Sequence, residues 1–307
     1  MAREVGEFLK VRTGMTVVDG TVGEGGHACM LARSVSPDGV LIGIDRDHEN
    51  LKIAKKRLES EDVRFVLYHG SYAMVREFLK EAGADRADGI LLDLGFSSRH
   101  IHQAERGFSF SDEGLLDMRY DTSSGQPAHE WLAGADVREI ARVLKAYGEE
   151  GAAAAIAREI KKVASREVVT AKKLSEAVSR AVSGRPRKHP ATRTFQAIRI
   201  YVNRELEELE AGLERCLYSL REGGRLAVLT YHSLEDRIVK RFFDDRTGKC
   251  KCPSGVPVCV CDYPDSSPVV RIPHRSGLRP GDDEIRDNPS ARSARMRGCV
   301  VLRAADR

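Results

Sequence analysis

From the N-terminus to Asp93, short apolar runs alternate with segments of helical spacing. Residues 15–19, 40–45, 63–68 and 87–93 are apolar runs of strand length. Strands buried on both faces of a parallel sheet read this way, without polar alternation. Between them, residues 27–34, 50–58 and 72–82 show helical spacing. Strands alternating with helices imply right-handed crossovers and a parallel sheet covered on both sides. The pattern then changes. Residues 114–204 contain no convincing strand, and 131–147, 151–164 and 171–182 read as helices. Pro186 and Pro190 interrupt, one long helical stretch covers 192–220, and Gly223-Gly224 ends it as glycine ends helices. Strand-like runs return at 225–231, 269–272 and 299–302. The predicted fold is α/β: a sheet domain in two parts, residues 1–113 and 205–307, interrupted by an all-helical insertion over 114–204.

The turn Asp19-Gly-Thr-Val-Gly-Glu-Gly-Gly-His27 lies between the first strand and the first of these helices. Glycines there let the chain turn tightly and let a ligand approach the backbone. Asp45 closes the second strand about 20 residues further on, where an acid can take ribose hydroxyls. Asp93 closes the fourth strand, and ligands of open α/β sheets lie beyond the carboxyl ends of the strands. The spacing is not Gly-x-Gly-x-x-Gly, and Asp19 and Glu24 would repel a pyrophosphate. Such charges suit a ligand with a sulfonium and an ammonium group, so S-adenosylmethionine is expected in preference to NAD. The plainer alternative is that Asp19 merely caps the helix.

Composition changes this picture little. Of the 307 residues, 41% are hydrophobic, enough for a real core, and the net charge of +4 does not by itself point to nucleic acid. Clustering matters more. Residues 185–193 carry four fixed positive charges and no acid, and residues 286–307 carry six arginines against two aspartates. No apolar run approaches the roughly 18 residues of a membrane span, and no secretory signal pattern opens the chain, so a cytoplasmic protein is expected. Seven cysteines are expected to be reduced thiols. Cys250, Cys252, Cys259 and Cys261 could hold zinc, but Cys-x-Cys is not the usual zinc spacing, and no metal is assigned.

Several longer strings carry a resemblance: Gly23-Glu-Gly-Gly-His27, Ile44-Asp-Arg-Asp47, Leu91-Leu-Asp-Leu-Gly-Phe-Ser-Ser98, Glu105-Arg-Gly-Phe-Ser-Phe110, Leu116-Asp-Met-Arg119, Lys188-His-Pro-Ala-Thr-Arg-Thr-Phe-Gln-Ala197 and His232-Ser-Leu-Glu-Asp-Arg237. In order and spacing the chain resembles, over nearly its whole length, the RsmH (MraW) family of bacterial 16S ribosomal RNA cytosine-N4 methyltransferases. The resemblance implies a Rossmann-like S-adenosylmethionine-dependent methyltransferase sheet with an inserted helical domain. It also implies methyl transfer to N4 of a cytidine in the decoding region of the small ribosomal subunit, with 16S ribosomal RNA as partner. It places cofactor contacts on Gly25, Gly26, His27, Asp45, Tyr72, Asp93 and His100, the last standing where glutamine is usual; Asp19 and Gly23, from the glycine turn itself, complete the candidate set. Family members carry a His-x-Pro-Val-type segment ahead of their first helix. This chain starts at Met1-Ala-Arg-Glu-Val5, just past that point, so a lower cofactor affinity is expected if the segment helps to close the site. Many amino-methyltransferases have an Asp/Asn-Pro-Pro-aromatic motif where this chain has Asp93-Leu-Gly-Phe96, so their mechanism does not transfer directly.

With that chemistry, Asp93, or the backbone after it, is expected to accept a hydrogen bond from the amino group. Phe96 is expected either to stack on the base or to pack in the core. His232 is a candidate to orient substrate or relay a proton, or else part of a helix start whose cap would be Ser233. For RNA, Arg185, Arg187, Lys188, His189 and Arg193 form one candidate patch, and Arg106 and Arg119, with Phe108 and Phe110, a second. A methyltransferase with another substrate, a non-enzymatic RNA-binding factor and an NAD oxidoreductase are the rival readings. The oligomeric state is not fixed by the sequence, and a homodimer stays open.

Overall fold

The structure is a computed structural model that describes residues 1–182, 189–248, 252, 258 and 269–304. Seven strands, β1 (Thr16–Asp19), β2 (Val40–Asp45), β3 (Phe65–His69), β4 (Ala87–Asp93), β5 (Leu220–Thr230), β6 (Val269–Arg271) and β7 (Arg295–Arg303), form one sheet of order β3-β2-β1-β4-β5-β7-β6. The pairs among β1 to β5 are parallel, and β7 runs antiparallel to both β5 and β6. Strand order reverses between β1 and β4, the switch point where such sheets open a crevice at their carboxyl edge.

Successive strand residues feed opposite faces. Val17, Leu41, Leu91 and Leu229 pack with Phe8, Leu31 and Leu58 on one side. Val18, Ile42, Ile90, Leu92 and Val228 pack with Leu79, Leu213 and Phe243 on the other. Both faces are dry, which is why the strands read as unbroken apolar runs.

The chain divides into two compact units: Met1–Gly95 with Glu207–Arg307, and Phe96–Leu206. The first boundary falls earlier than the predicted 113/114 because residues 96–113 add no strand to the sheet. Instead Phe108 stacks with Tyr120, and Phe110 meets Phe195 edge-on, inside the second unit. That unit is helical: Ala128–Gly134, Val137–Gly148, Ala153–Ala164, Ala171–Ala181 and Thr192–Asn203 enclose Leu116, Trp131, Ile156, Leu174 and Ile198. Its described residues hold one isolated bridge, Leu115 to Thr170, and no strand.

Three local expectations are corrected. The helix expected over 131–147 is two helices, the second capped by Asp136, whose side chain accepts the Glu139 amide. The stretch expected over 192–220 breaks at Arg204, which takes a left-handed conformation at φ 52°; the sequence carries no glycine there to betray the turn. Gly223-Gly224 does not end a helix. The helix Glu205–Tyr218 stops before it, and both glycines sit in β5 where its register with β4 jumps from Ala87–Leu220 to Gly89–Arg225. Among the described residues no helix is long and apolar enough to cross a membrane.

Candidate active site at the carboxyl edge of the sheet

Three strand-ending acids mark the edge beside the switch point. Asp19 is fully buried. One of its oxygens accepts the Thr21 amide at 3.2 Å, and Oδ2 has no hydrogen-bond partner. Burial pushes its pKa up to about 7, against the opposing pull of His27. The Asp45 carboxylate takes the backbone N–H groups of Gly23 and Asp47, each at 2.7 Å, tying the glycine turn to the end of β2.

Asp93 is held from several sides. Its amide donates to Thr21 Oγ1 at 2.5 Å. The Tyr231 hydroxyl donates to Oδ1 at 2.7 Å, and His27 Nε2 stands 3.4 Å from Oδ2. Burial would lower the His27 pKa, but the Asp93 and Asp19 carboxylates hold it above its ordinary value. Burial, then the Asp93 charge, push the Tyr231 phenol up, so it stays a donor. Sequence reasoning selected Asp93 and His27 and missed Tyr231 and Thr21. Tyr231 had one available signal, its place directly after an apolar strand and beside the His232 motif.

His232 caps the helix Ser233–Asp244. Its side chain accepts the Glu235 amide while the Glu235 side chain reaches back, a reciprocal capping box. The cap is therefore His232, not Ser233. Glu235, itself buried, accepts the amides of Tyr231 at 2.9 Å and His232 at 3.3 Å, and His232 Nε2 lies 3.1 Å from Glu235 Oε1. These contacts give His232 a structural task at the strand–helix junction.

Residues 1–301 match the MraW methylase family. This chain belongs to the MraW methylase family. Proteins named "Ribosomal RNA small subunit methyltransferase H" are similar throughout. The one from Syntrophotalea carbinolica is 47% identical over 97% of this chain and 95% of its own length. Those from Trichlorobacter lovleyi and Symbiobacterium thermophilum are 43% and 44% identical, over 98% and 100% of this chain and 97% and 96% of theirs.

The methyl donor of the MraW family is S-adenosylmethionine, and the edge described above fits it. A buried acid oxygen on Asp19 and the buried Nδ1 of His27 have no partner in the protein, and such orphaned groups are rare unless a ligand or water completes them. Gly25 is left-handed at φ 90°, and a Cβ there would come within 3.2 Å of Ala54, whereas one on Gly26 would meet nothing within 4 Å. One glycine thus makes the turn and the next leaves open space. Tyr72 is buried: its ring fills the space beside Gly212, and its Cβ flanks Gly20.

The remaining expected MraW site residues lie in the helical unit. Phe96 is 38% exposed, with Arg199 4.8 Å over its ring and Phe108 stacked at 5.7 Å; it is not a core residue. His100 is buried between Phe108 and Tyr120, and its Nδ1 accepts the Ser97 amide at 3.1 Å. Arg106 is buried and donates to the carbonyls of Arg119 and Tyr120. Arg119 grips Asp117 with two nitrogens, both at 2.8 Å, and reaches the carbonyls of Ser124 and Gly125. Both guanidiniums donate to groups within the fold. His189 and Arg193 are exposed, His189 stacked on Phe110 at 4.3 Å. Arg185, Arg187 and Lys188 lie outside the described residues, as do Cys250, Cys259 and Cys261. In the sheet unit, two of the C-terminal arginines are also engaged: Arg295 and Arg297 both bind Asp236.

Proposed function

We propose that this chain methylates the exocyclic N4 of a cytidine in the decoding region of small-subunit (16S) ribosomal RNA. The observation that carries this reading is the Asp93 carboxylate, fixed at the end of β4 between the Tyr231 hydroxyl and His27. The shared name of relatives 41–47% identical supports the substrate. A cytosine amino group is a poor nucleophile because its lone pair is delocalised into the ring. Positioning and electrostatics must therefore supply most of the rate. A carboxylate offers about four lone-pair sites, so Asp93 keeps capacity to accept one N4–H, turn the nitrogen's lone pair toward the methyl donor, and stabilise the positive charge that develops on nitrogen until the N–H proton is lost. S-adenosylmethionine, when bound, supplies the electrophilic methyl carbon.

The base must leave its RNA stack to reach the donor. The exposed Phe96 ring, backed by Arg199, suits stacking on it, and the helical unit serves as the RNA-recognition domain. Arg185, Arg187, Lys188, His189 and Arg193 form the phosphate-binding patch. Asp19, Gly23, Gly25, Gly26, His27 and Asp45 hold the cofactor, with Tyr72 and His100 as outer contributors.

The test is methyl transfer from labelled S-adenosylmethionine to small subunits lacking the modification, followed by nuclease digestion and mass spectrometry of the nucleosides. Label in an N4-methylcytidine derivative is the expected result. Label on another base or atom, or none while the cofactor binds, overturns the substrate assignment.

A further inference from the structure

We infer that Tyr231 is the positioning residue of the reaction, aiming the Asp93 carboxylate at the amino group; this rests on the reading of Asp93 given above. Tyr231 follows the last residue of β5, and Leu94, next to Asp93, donates its amide to Leu229 at 3.1 Å. The two strand ends thus advance together, and the phenol crosses from one to the other to reach Oδ1. The Tyr231 backbone is itself anchored, because its amide donates to buried Glu235 within the capping box of the following helix. A rigid donor on one carboxylate oxygen and His27 beside the other leave the Asp93 side chain one orientation. The charged and titratable groups acting on this cluster are His27 and Asp19 from the glycine turn and its strand, Asp45 from β2, and Glu235 and Glu284, whose charges bear on the phenol.

Tyr231→Phe deletes one hydroxyl and keeps the ring. A hydrogen bond to a charged group, made where charge develops, is worth on the order of tenfold to a hundredfold in rate. The expected result is a kcat lowered by that factor, with KM and calorimetric Kd for S-adenosylmethionine within about twofold of wild type and a melting temperature lowered by only a few degrees. The decisive measurement is the cycle with Asp93→Asn: Tyr231→Phe should cost little more once the carboxylate is gone, since the phenol acts through it. An unchanged kcat in Tyr231→Phe, or an equal loss with and without the Asp93 carboxylate, overturns the inference. The wild-type arm, assayed on small subunits in parallel, reports separately on the substrate: an N4-methylcytidine product there with a normal Tyr231→Phe rate removes Tyr231 alone.

Discussion

The two units place different groups at their candidate sites. In the sheet unit the carboxyl edge gathers Asp19, Asp45 and Asp93, and leaves a buried oxygen of Asp19 and a buried nitrogen of His27 without protein partners. In the helical unit Arg119 is matched by Asp117, and Arg199 is held by Glu205 through two bonds at 2.8 and 3.0 Å. That unit also exposes an aromatic ring, Phe96, and the basic residues His189 and Arg193, and it too buries polar atoms without protein partners, Gln103 Oε1 and Thr194 Oγ1. Unmatched buried polarity is a cost to folding that a ligand relieves; matched charge is architecture. Counting arginines therefore says less about RNA binding than asking which of them have already found an anion.

This contrast can be broken by mutation. The largest effect is expected for Asp93→Ala, which should lower kcat on small subunits by on the order of a hundredfold or more while chemical denaturation shows nearly wild-type stability. Near-normal turnover would remove Asp93 from the mechanism. Arg119→Ala should do the reverse: lose about 2 kcal/mol of stability, with RNA affinity retained at a temperature where the variant is folded. A selective loss of RNA binding would restore Arg119 to the interface.

Asp19 sharpens the comparison through pH. Its folded pKa lies above the unfolded value, at about 7 against 3.8, so the fold prefers the neutral acid. The contribution of Asp19 to the stability of the ligand-free protein is full below about pH 4, falls as pH rises toward about 7, and then levels off. Asp19→Asn should flatten that segment and weaken S-adenosylmethionine binding at pH 8; parallel pH–stability curves for variant and wild type would sink the idea. The smallest effect is expected for Phe96→Ala, about a tenfold rise in KM for the RNA substrate if the ring stacks on a base, measured by steady-state kinetics. No change would leave the ring a cover for Arg199.

Much of this was legible beforehand for a physical reason. Strands buried on both faces must be apolar throughout, so β1, β2 and β4 could be located closely, and the acid ending each could be seen at once. What stayed hidden depends on tertiary context. The break at Arg204 uses a left-handed non-glycine residue, which no composition signal announces. His232 displaces Ser233 as cap because buried Glu235 answers it. Tyr231 reads as one more strand residue until β4 lies alongside. The first domain boundary falls earlier than expected because Phe108 and Phe110 find their ring partners, Tyr120 and Phe195, later in the chain, which spacing alone does not reveal.

The insertion between β4 and β5 has a consequence for assembly. These strands pair directly, yet the whole helical unit, Phe96–Leu206, is synthesised between them. At roughly 5–20 residues per second, the edge of β4 waits several seconds on the ribosome for its neighbour, bare and apolar, the condition in which strands find wrong partners. The intervening segment has its own core of Trp131, Ile156, Leu174 and Ile198 and can order before β5 is made. Once ordered, it no longer acts as a long slack tether. The chain entropy lost when β5 docks is then that of a short closure, and the helical unit serves as a brace that shortens the search.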